Sequence, residues 1–332
     1  MRVGVVGAGA LGYHHVRILR DLPGAALAGF HETDPARAAK VSAELGVRAT
    51  GSLDELLDAV DAVTVVVPTP AHHAVAKRAL ERGVHVLIEK PIAATLAEAD
   101  DLLETAARSG AIVQTGHVER FNRAIRAALP YIATPLFVES NRLAPFNPRG
   151  ADVAVVLDLM IHDIDLVRTL VGGAVTALAA SGVPVLTPSV DIANARLTFE
   201  TGAVANITAS RVSRDRFRKL RVFQRSGYLS LDLAQGTGEF FRLRDGLDVA
   251  ALAAAPRQLE EFMERVPLEA PEGEPLRLEF ESFLAAVAGS APVLVSGEAG
   301  REALALALRI MQEIERGMPA FVHPPSARAP GA

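Results

Sequence analysis

The chain has 332 residues and a formal net charge of −5, which is too acidic for a protein that binds nucleic acid through bulk charge. Half of its residues are hydrophobic, so it can bury a sizeable core, and the absence of cysteine excludes disulfides, thiolate catalysis and iron–sulfur clusters. No apolar run approaches the ~18 residues of a membrane span, and we expect a cytoplasmic protein with no membrane partner.

In the first 116 residues, short apolar runs alternate with amphipathic segments. The amphipathic segments predict helices around residues 10–21, 35–45, 72–82 and 95–109. The apolar runs predict strands at Val3–Val6, Ala26–Phe30, Ala62–Val67, Val84–Ile88 and Ala111–Gln114. Because these runs contain few polar residues, they fit strands that are buried on both faces. Alternation of this kind predicts a doubly wound parallel sheet, a Rossmann-type domain over residues 1–118.

After Gly116 the pattern changes to consecutive strands. Helices are predicted at Glu119–Leu129 and at about 153–170, with a strand at Leu136–Arg142 between them. Strands joined by short turns then follow near residues 174–182, 192–199, 203–211, 218–225 and 228–233. These strands predict a large, mainly antiparallel sheet. Helices at about 275–288 and 296–315 complete a second α/β domain over residues 119–316, and a tail covers residues 317–332.

A glycine-rich turn at residues 7–12, GAGALG, directly follows the first strand and opens a helix. Gly7 permits the tight turn, Gly9 lets the backbone approach a pyrophosphate, and Gly12 lets helix and strand pack closely. The free N–H groups at the helix terminus, around Ala10 and Leu11, would then hold the phosphates. A glycine turn without a ligand is the alternative.

An acidic residue is expected about 20 residues after such a turn, near the end of the second strand. Glu32 lies there and would bond both ribose hydroxyls of a dinucleotide. The next residue is Thr33 rather than arginine, and Arg37 follows one helical turn later. The pattern therefore predicts NAD as the cofactor, with NADP less favoured.

Glu89-Lys90-Pro91 follows the predicted strand Val84–Ile88, at the sheet edge where ligands of open parallel sheets bind. The chain has only four lysines against thirty arginines, which makes Lys90 conspicuous. Near a bound cofactor, its ammonium would act as an acid or base or polarise a substrate oxygen. A solvated lysine paired with Glu89 is the alternative.

Asp158, His162 and Asp165 are spaced i, i+4 and i+7, so an α-helix would place all three on one face. Asp158 beside His162 would fix the imidazole tautomer and raise its basicity, as in a general base. Two alternatives stay open: acidic residues that only cap or charge the helix, and a metal site. We expect acid–base chemistry and no metal.

GAGALG, Glu89-Lys90-Pro91 and Asp158-xxx-His162-xx-Asp165, in this order and at these separations, resemble the Gfo/Idh/MocA oxidoreductases. The resemblance covers about residues 1–316. It implies a Rossmann domain, a C-terminal α/β domain with an open sheet, a nicotinamide cofactor and a homo-oligomer, either a dimer or a tetramer. It also implies that Lys90 contacts the hydroxyl being oxidised and that His162 is the acid–base group, with Asp158 alongside.

The same resemblance assigns further site residues. Pro68-Thr69-Pro70 with His72 matches the strand-end segment that lines the cofactor, and we add Glu89 and Lys90 to the cofactor-binding set. Gly116-His117 with Arg120-Phe121 matches the interdomain crossing, and His117, Arg120 and Asp165 are candidate substrate-binding residues. The chain departs from the family pattern at residues 152–156, which replace a Gly-rich segment, and at Asp163, where family members often have a small residue.

A basic segment, Ser210–Arg221, holds six cations and one acid. On a strand, residues 214, 216 and 218 would share a face and bind the diphosphate of a nucleotide sugar. Arg211 and Arg214 are the candidates here, together with Arg149 in a second cluster. A basic sheet edge or an oligomer contact is the alternative.

Residues 116–122 and 157–165 resemble the branch of the family that acts on UDP-N-acetylhexosamines. We therefore predict an NAD-dependent oxidoreductase that oxidises a secondary hydroxyl of such a sugar. Three alternatives remain: a dehydrogenase of a free polyol or aldose, a glycosidase-type relative that retains its NAD, and a non-catalytic NAD-binding regulator.

Overall fold

The computed structural model describes residues 1–148, 153–244 and 259–318. These form two compact units, the first built from residues 1–121 and 273–305, the second from residues 122–272 and the chain from residue 306 onward. The predicted domains, with limits after residues 118 and 316, differ from these units at residues 119–121 and 273–305, which belong to the first unit.

A parallel sheet in the order β2-β1-β3-β4-β5 lies at the centre of the first unit. Its strands are β1 Arg2–Val6, β2 Ala26–His31, β3 Ala62–Val65, β4 His85–Glu89 and β5 Val113–Gly116. The helices between them are α1 Ala10–Arg20, α2 Pro35–Leu45, α3 Leu53–Asp58, α4 Thr69–Leu80 and α5 Leu96–Ser109. All residues of β3 and β5 are buried, as expected for strands covered on both faces. The predicted Rossmann-type sheet is confirmed.

Side-chain caps set where several of these helices begin. Asp34 accepts hydrogen bonds from the backbone at the start of α2, and Thr95 and Glu98 form a reciprocal capping box at the start of α5. Helix α3 was not predicted, although Ser52 stands three residues before Glu55 and accepts a hydrogen bond from the Glu55 backbone N–H. That serine–glutamate spacing is the signal that predicts a helix start.

The later helix α9, Pro275–Val287, packs into the core of the first unit. Phe280 and Phe283 are fully buried in one apolar cluster with residues of β1, α1 and β4, such as Val3. Gln114 of β5 donates a hydrogen bond from its side chain to the carbonyl of Glu279. Because burial of large apolar side chains decides which elements pack together, residues 273–305 join the first unit despite their distance in sequence.

In the second unit, the described residues form a mixed sheet in the order β13-β12-β11-β10-β6-β9-β8-β7. Its strands are β6 Phe137–Leu143, β7 Val175–Val183, β8 Ile192–Phe199, β9 Val204–Ser210, β10 Phe217–Gln224, β11 Gly227–Asp232, β12 Thr237–Leu243 and β13 Met263–Pro267. Only β6 and β9 pair in parallel, so the predicted mainly antiparallel sheet is confirmed. Strands β12 and β13 were not predicted.

The two helices predicted at Glu119–Leu129 and at about 153–170 begin later in the structure than in the prediction. The helix predicted over Glu119–Leu129 is interrupted at Asn122, whose side chain caps a new helix, so a 3₁₀ turn at Val118–Phe121 precedes α6, Arg123–Ala128. A further 3₁₀ turn lies at Leu129–Tyr131. A π-helix at Val156–Met160 leads into α7, Ile161–Val171, and α8 covers Leu259–Phe262. The last helix, α10 at Gly297–Gly317, begins in the first unit and ends in the second.

One face of the second sheet is apolar and is covered by helices. Alternate residues of β6, β8 and β9, such as Val138, Leu197 and Ile207, are fully buried, whereas their neighbours along each strand are partly or fully exposed. Helix α7 contacts β6 and β9 on this side. Among the described helices, none is both long and apolar enough to cross a membrane.

Candidate functional site

The glycine-rich turn joins β1 to α1 with the geometry that a pyrophosphate site needs. Gly7 has a φ of +91°, and a Cβ there would lie 2.6 Å from the carbonyl oxygen of Val66. A Cβ on Gly12 would lie 2.0 Å from the carbonyl oxygen of Gly7, so neither position accepts a side chain. A Cβ on Gly9 would meet nothing within 4 Å, which leaves open space in front of the backbone before Ala10. The turn therefore fits a phosphate group approaching the first turn of α1.

A cleft of about 570 Å³ opens beside this turn, at the ends of β1 and β3. The strand order reverses between these two strands, which is where open α/β sheets bind ligands. The cleft is lined by Val6, Gly7, Gly9, His31, Glu32, Thr33, Leu53, Val66, Val67, Pro68, Ala71, Val75 and Arg78. Of these, Gly7, Gly9, Glu32 and Pro68 were predicted to bind the cofactor, and the apolar wall was not predicted. Val66 and Val67 could have been found from their place at the end of an apolar strand.

Glu32 lies directly after β2 and is held by backbone donors. The N–H of Ala8 donates to one carboxylate oxygen at 2.8 Å and the N–H of Asp34 donates to the other at 3.0 Å. Burial acts to raise the pKa of Glu32, but these hydrogen bonds outweigh it and hold the pKa below its usual value. A carboxylate keeps further acceptor sites for ribose hydroxyls, and its charge disfavours a 2′-phosphate. This geometry fits NAD better than NADP.

Arg37 contacts the glycine turn. Its Nε donates to the carbonyl oxygen of Ala8 at 2.7 Å and its Nη2 donates to that of Gly9 at 3.0 Å. The guanidinium also lies over the ring of Tyr13, with its carbon 5.8 Å from the ring centroid. The side chain that could have contacted a 2′-phosphate is thus used to hold the turn in place.

The carboxylate of Glu89 points into the protein interior, although it was predicted to bind the cofactor. His15 Nε2 lies 3.2 Å from a Glu89 carboxylate oxygen, and a Cβ on Gly116 would lie 2.9 Å from its carboxyl carbon. Burial acts to raise the pKa of Glu89, but the contact with His15 and the nearby charge of Lys90 act in the opposite direction and outweigh it, so the pKa lies below its usual value. Glu89 is therefore placed to support the strand end rather than to line the cleft.

His72 is also buried rather than exposed to the cleft. It is 1% exposed, its Nε2 lies 2.9 Å from the carbonyl oxygen of Val67, and its Nδ1 lies 2.8 Å from that of Pro91. Burial lowers the pKa of His72, against the effect of these two carbonyls. Thr69 begins α4 directly after Pro68, and Lys90, which is partly exposed, directly precedes Pro91.

Two candidate substrate-binding residues, His117 and Arg120, lie just after β5 in the first unit. His117 is 1% exposed, and Arg120 donates from Nη1 to the carbonyl oxygen of Leu294 at 3.2 Å. That contact connects the turn after β5 to the segment between α9 and α10, so Arg120 has a structural partner within its own unit.

In the second unit, the helix carrying Asp158 and His162 differs from the prediction. Residues 156–160 form a π-helix, and a regular α-helix begins only at Ile161, so the expected single α-helical face over residues 158–165 is wrong at its start. Asp158 lies in the π-helix, whereas His162 and Asp165 share the first turns of α7. Asp158 and His162 are partly exposed and Asp165 is 2% exposed. π-helical turns are frequent at functional sites.

Asp163, the departure from the family pattern, forms a buried ion pair that the sequence analysis missed. Its carboxylate accepts from Arg142 Nε at 2.6 Å, from Arg142 Nη2 at 3.2 Å and from Ser140 Oγ at 2.9 Å. Asp163 and Arg142 are 1% and 2% exposed. The pair attaches the start of α7, next to His162, to strand β6.

Within the basic segment, Arg211 is buried. Arg211 is 4% exposed; its Nε lies 3.2 Å from Asp191 and its Nη2 contacts the carbonyl oxygens of Val153 and Val190. Burial acts to raise the pKa of Asp191, but backbone N–H groups of residues 185–187 outweigh it and keep it low. Arg211 is thus paired within its own unit.

The prediction that one strand places residues 214, 216 and 218 on the same face is wrong. Strand β10 begins only at Phe217, so Arg214 and Arg216 lie in the exposed connection from β9, where Ser213 is turned back to bond Ser210 and Ala144. Arg149 lies outside the described residues. Within the described part of the chain, no group of three His, Asp or Glu side chains is arranged to hold a metal ion.

Four features together define an oxidoreductase that binds a nicotinamide dinucleotide. They are the doubly wound sheet, the glycine turn before a helix, the acidic group after β2 and the lysine after β4. Residues 1–117 match the family model described as the oxidoreductase family with an NAD-binding Rossmann fold, and residues 137–230 match the GFO/IDH/MocA C-terminal domain. The chain belongs to the Gfo/Idh/MocA oxidoreductase family.

Relatives of the chain include sugar and polyol dehydrogenases. The UDP-N-acetylglucosamine 3-dehydrogenase of Acidithiobacillus ferrooxidans is 39% identical over 316 residues, which is 95% of this chain and 97% of the relative. A solved structure of that enzyme, 38% identical, superposes with a TM-score of 0.86 over 95% of this chain and 98% of the other. The scyllo-inositol 2-dehydrogenase (NAD(+)) of Bacillus subtilis is 29% identical over 64% of this chain and 68% of its own.

Proposed function

We propose that this protein is an NAD-dependent dehydrogenase that oxidises the 3-hydroxyl of UDP-N-acetylglucosamine. The observation that carries the proposal is 39% identity to an enzyme of that name along nearly the whole length of both chains. The cleft beside the glycine turn supports the cofactor part of the proposal, because its residues fit NAD.

NAD held in this cleft would supply the acceptor for the hydride that leaves the sugar carbon. The backbone around Gly9, Ala10 and Leu11 would hold its phosphates, and Glu32 would accept hydrogen bonds from its ribose hydroxyls. Pro68 and Thr69, at the start of α4, would line the same cleft.

The hydroxyl proton must leave as the alcohol is oxidised, and two titratable groups are proposed to handle it. Lys90 binds the reacting oxygen through its ammonium, and His162 takes the proton as general base. Asp158 orients the imidazole and favours its charged form. Asp165, His117 and Arg120 are proposed to bind the sugar hydroxyls. The partly exposed side chains of Lys90 and His162 support these roles.

The test is NADH formation, followed by absorbance, with UDP-N-acetylglucosamine and NAD. We expect Lys90→Met and His162→Asn each to lower kcat by roughly 10²–10⁴-fold while NAD binding persists. Lys40→Met and His14→Asn are the matched controls, because both side chains lie on exposed helix faces of the first unit and should leave kcat unchanged. Full turnover in both site variants would remove the assigned roles.

The substrate is tested separately with UDP and with inositol. We expect UDP to inhibit competitively and to raise the melting temperature, because the proposed substrate carries it. The similarity to an inositol dehydrogenase makes a free polyol the second candidate. Turnover of inositol without binding of UDP would favour the polyol. Bound NAD without net NADH formation from any sugar would favour the NAD-retaining glycosidase or the regulator.

The open face of the second sheet is proposed to join copies in a homo-oligomer, a dimer or tetramer. Four partly exposed aromatic rings lie side by side on four adjacent strands: Phe137, Phe223, Tyr228 and Phe241. The centroids of consecutive rings in this order are 5.8, 5.3 and 4.7 Å apart. A partly exposed apolar surface of this kind is typical of an interface. We expect Tyr228→Arg to lower the mass measured by light scattering, to that of a monomer if the parent is a dimer. An unchanged mass would exclude this face as the interface.

We further propose a cytoplasmic location, where a charged nucleotide sugar is reached without crossing a bilayer.

A further inference from the structure

We infer that His72 is a positioning residue for Lys90: its imidazole ties the segment after β3 to the segment after β4 and so sets where the lysine stands. The inference rests on the proposed role of Lys90. It differs from the sequence-based assignment of His72 to the cofactor, because the ring is 1% exposed and contacts backbone carbonyls of the protein.

The contacts of His72 span two neighbouring strand ends. The pairing of β3 with β4 ends at Val65 and Ile88, although Glu89, the last residue of β4, still pairs with Gly116 of β5. His72 Nε2 lies 2.9 Å from the carbonyl oxygen of Val67, and Nδ1 lies 2.8 Å from that of Pro91. The imidazole therefore connects the two segments just beyond the end of the β3–β4 ladder.

The two carbonyl contacts of His72 form a tether next to the proposed catalytic group. Pro91 directly follows Lys90, so its carbonyl is one residue from the lysine backbone. Val67 lines the dinucleotide cleft. A ring held between these two carbonyls fixes the position of Lys90 relative to the cleft, and displacement of a reacting group by about 1 Å can cost roughly 10²-fold in rate.

Burial makes the tether stiff. The ring is 1% exposed, so water cannot replace either carbonyl contact without entering the core. A neutral imidazole has a single N–H and donates to one of the two carbonyl oxygens, whereas the imidazolium donates to both; in either form the buried ring contacts both segments. Phenylalanine has a similar ring without nitrogens, which allows removal of the tether with little change in packing volume.

The neighbouring histidine of the same helix provides a matched control. His73 Nε2 lies 2.6 Å from an Asp101 carboxylate oxygen, and Asp101 also binds Lys77 Nζ at 2.8 and 3.0 Å. His72→Phe and His73→Phe thus make the same chemical change one residue apart. The first removes the tether beside Lys90, and the second alters the surroundings of Lys77.

The first measurement needs no substrate. The chain has only four lysines, so reductive methylation with ¹³C-formaldehyde gives a lysine spectrum that can be assigned by single Lys→Arg variants. We expect His72→Phe to shift the Lys90 resonance and leave that of Lys77, and His73→Phe to do the reverse. An unmoved Lys90 resonance in folded His72→Phe protein would overturn the inference.

The second measurement is kinetic. We expect His72→Phe to lower kcat by about 10- to 100-fold and to shift the limb of the pH–rate profile that Lys90→Met abolishes, with NAD affinity within about threefold of the parent. His72→Gln keeps a donor and should restore part of kcat; it also serves if the phenylalanine variant fails to fold. Equal losses in kcat and in NAD affinity, with no shift of that limb, would mean a purely structural role. A Lys90→Met variant with full turnover would refute the proposed function, while the lysine spectrum would still test the tether.

Discussion

The buried ion pair between Arg142 and Asp163 offers a quantitative test of how α7 is held on the second sheet. The perturbation is Asp163→Asn, which keeps the side-chain shape but removes its charge. The guanidinium and carboxylate side chains are 3% and 2% exposed, and three hydrogen bonds of 2.6, 2.9 and 3.2 Å end on the carboxylate. Removing one charge of a buried pair costs about 3–5 kcal/mol. We therefore expect the free energy of unfolding to fall by about 3 kcal/mol or more.

Urea unfolding and calorimetry measure this change. A loss of about 3 kcal/mol lowers the melting temperature of a unit of this size by roughly 6–12 °C. Glu264→Gln is the control, because its ion pair with Arg242 lies on the surface with side chains 46% and 51% exposed. Such a pair contributes about 0–1 kcal/mol.

The double variant Arg142→Met/Asp163→Leu separates charge from packing. Replacing both partners by apolar side chains of similar volume should restore most of the lost stability, because no uncompensated charge stays buried. A cost below about 1 kcal/mol for Asp163→Asn, close to that of the surface control, would refute the reasoning.

Three further outcomes are expected in the first unit. Because the Glu89 pKa is lowered in the folded state, its stabilising effect is present above the unfolded-state pKa of about 4.3 and is lost as pH falls through the folded value. The stability difference between parent and Glu89→Gln should therefore shrink in urea titrations below about pH 4, and a difference that grows with acid would contradict the sign. Gly12→Ala should lower the free energy of unfolding by about 1–3 kcal/mol, since its Cβ would lie 2.0 Å from the Gly7 carbonyl oxygen. The same variant should bind NADH more weakly in a fluorescence titration. Glu32→Gln should lower the ratio of NAD affinity to NADP affinity by about tenfold in titrations. An unchanged ratio would show that the carboxylate charge is not the source of the preference for NAD.

The sequence alone determined the features that depend on local pattern. The alternation of apolar runs and amphipathic helices requires a parallel sheet, and a glycine turn between strand and helix requires residues without side chains at Gly7 and Gly12. The spacing from this turn to Glu32 follows from one strand–helix–strand unit. Such signals lie within about 30 residues, so they can be predicted without knowing what packs against them.

Tertiary structure decided which distant groups pair. Phe280 joins the first unit because its ring fills a core built by residues far earlier in the chain. Arg211 resembled a ligand-binding cation in sequence, but burial next to Asp191 made it an internal ion pair. His72 was assigned to the cofactor, yet the neighbouring strand ends place two carbonyls against its ring. In each case the partner is many residues away, and the cost of burying an unpaired polar or charged group selects it only once the sheets and helices have packed.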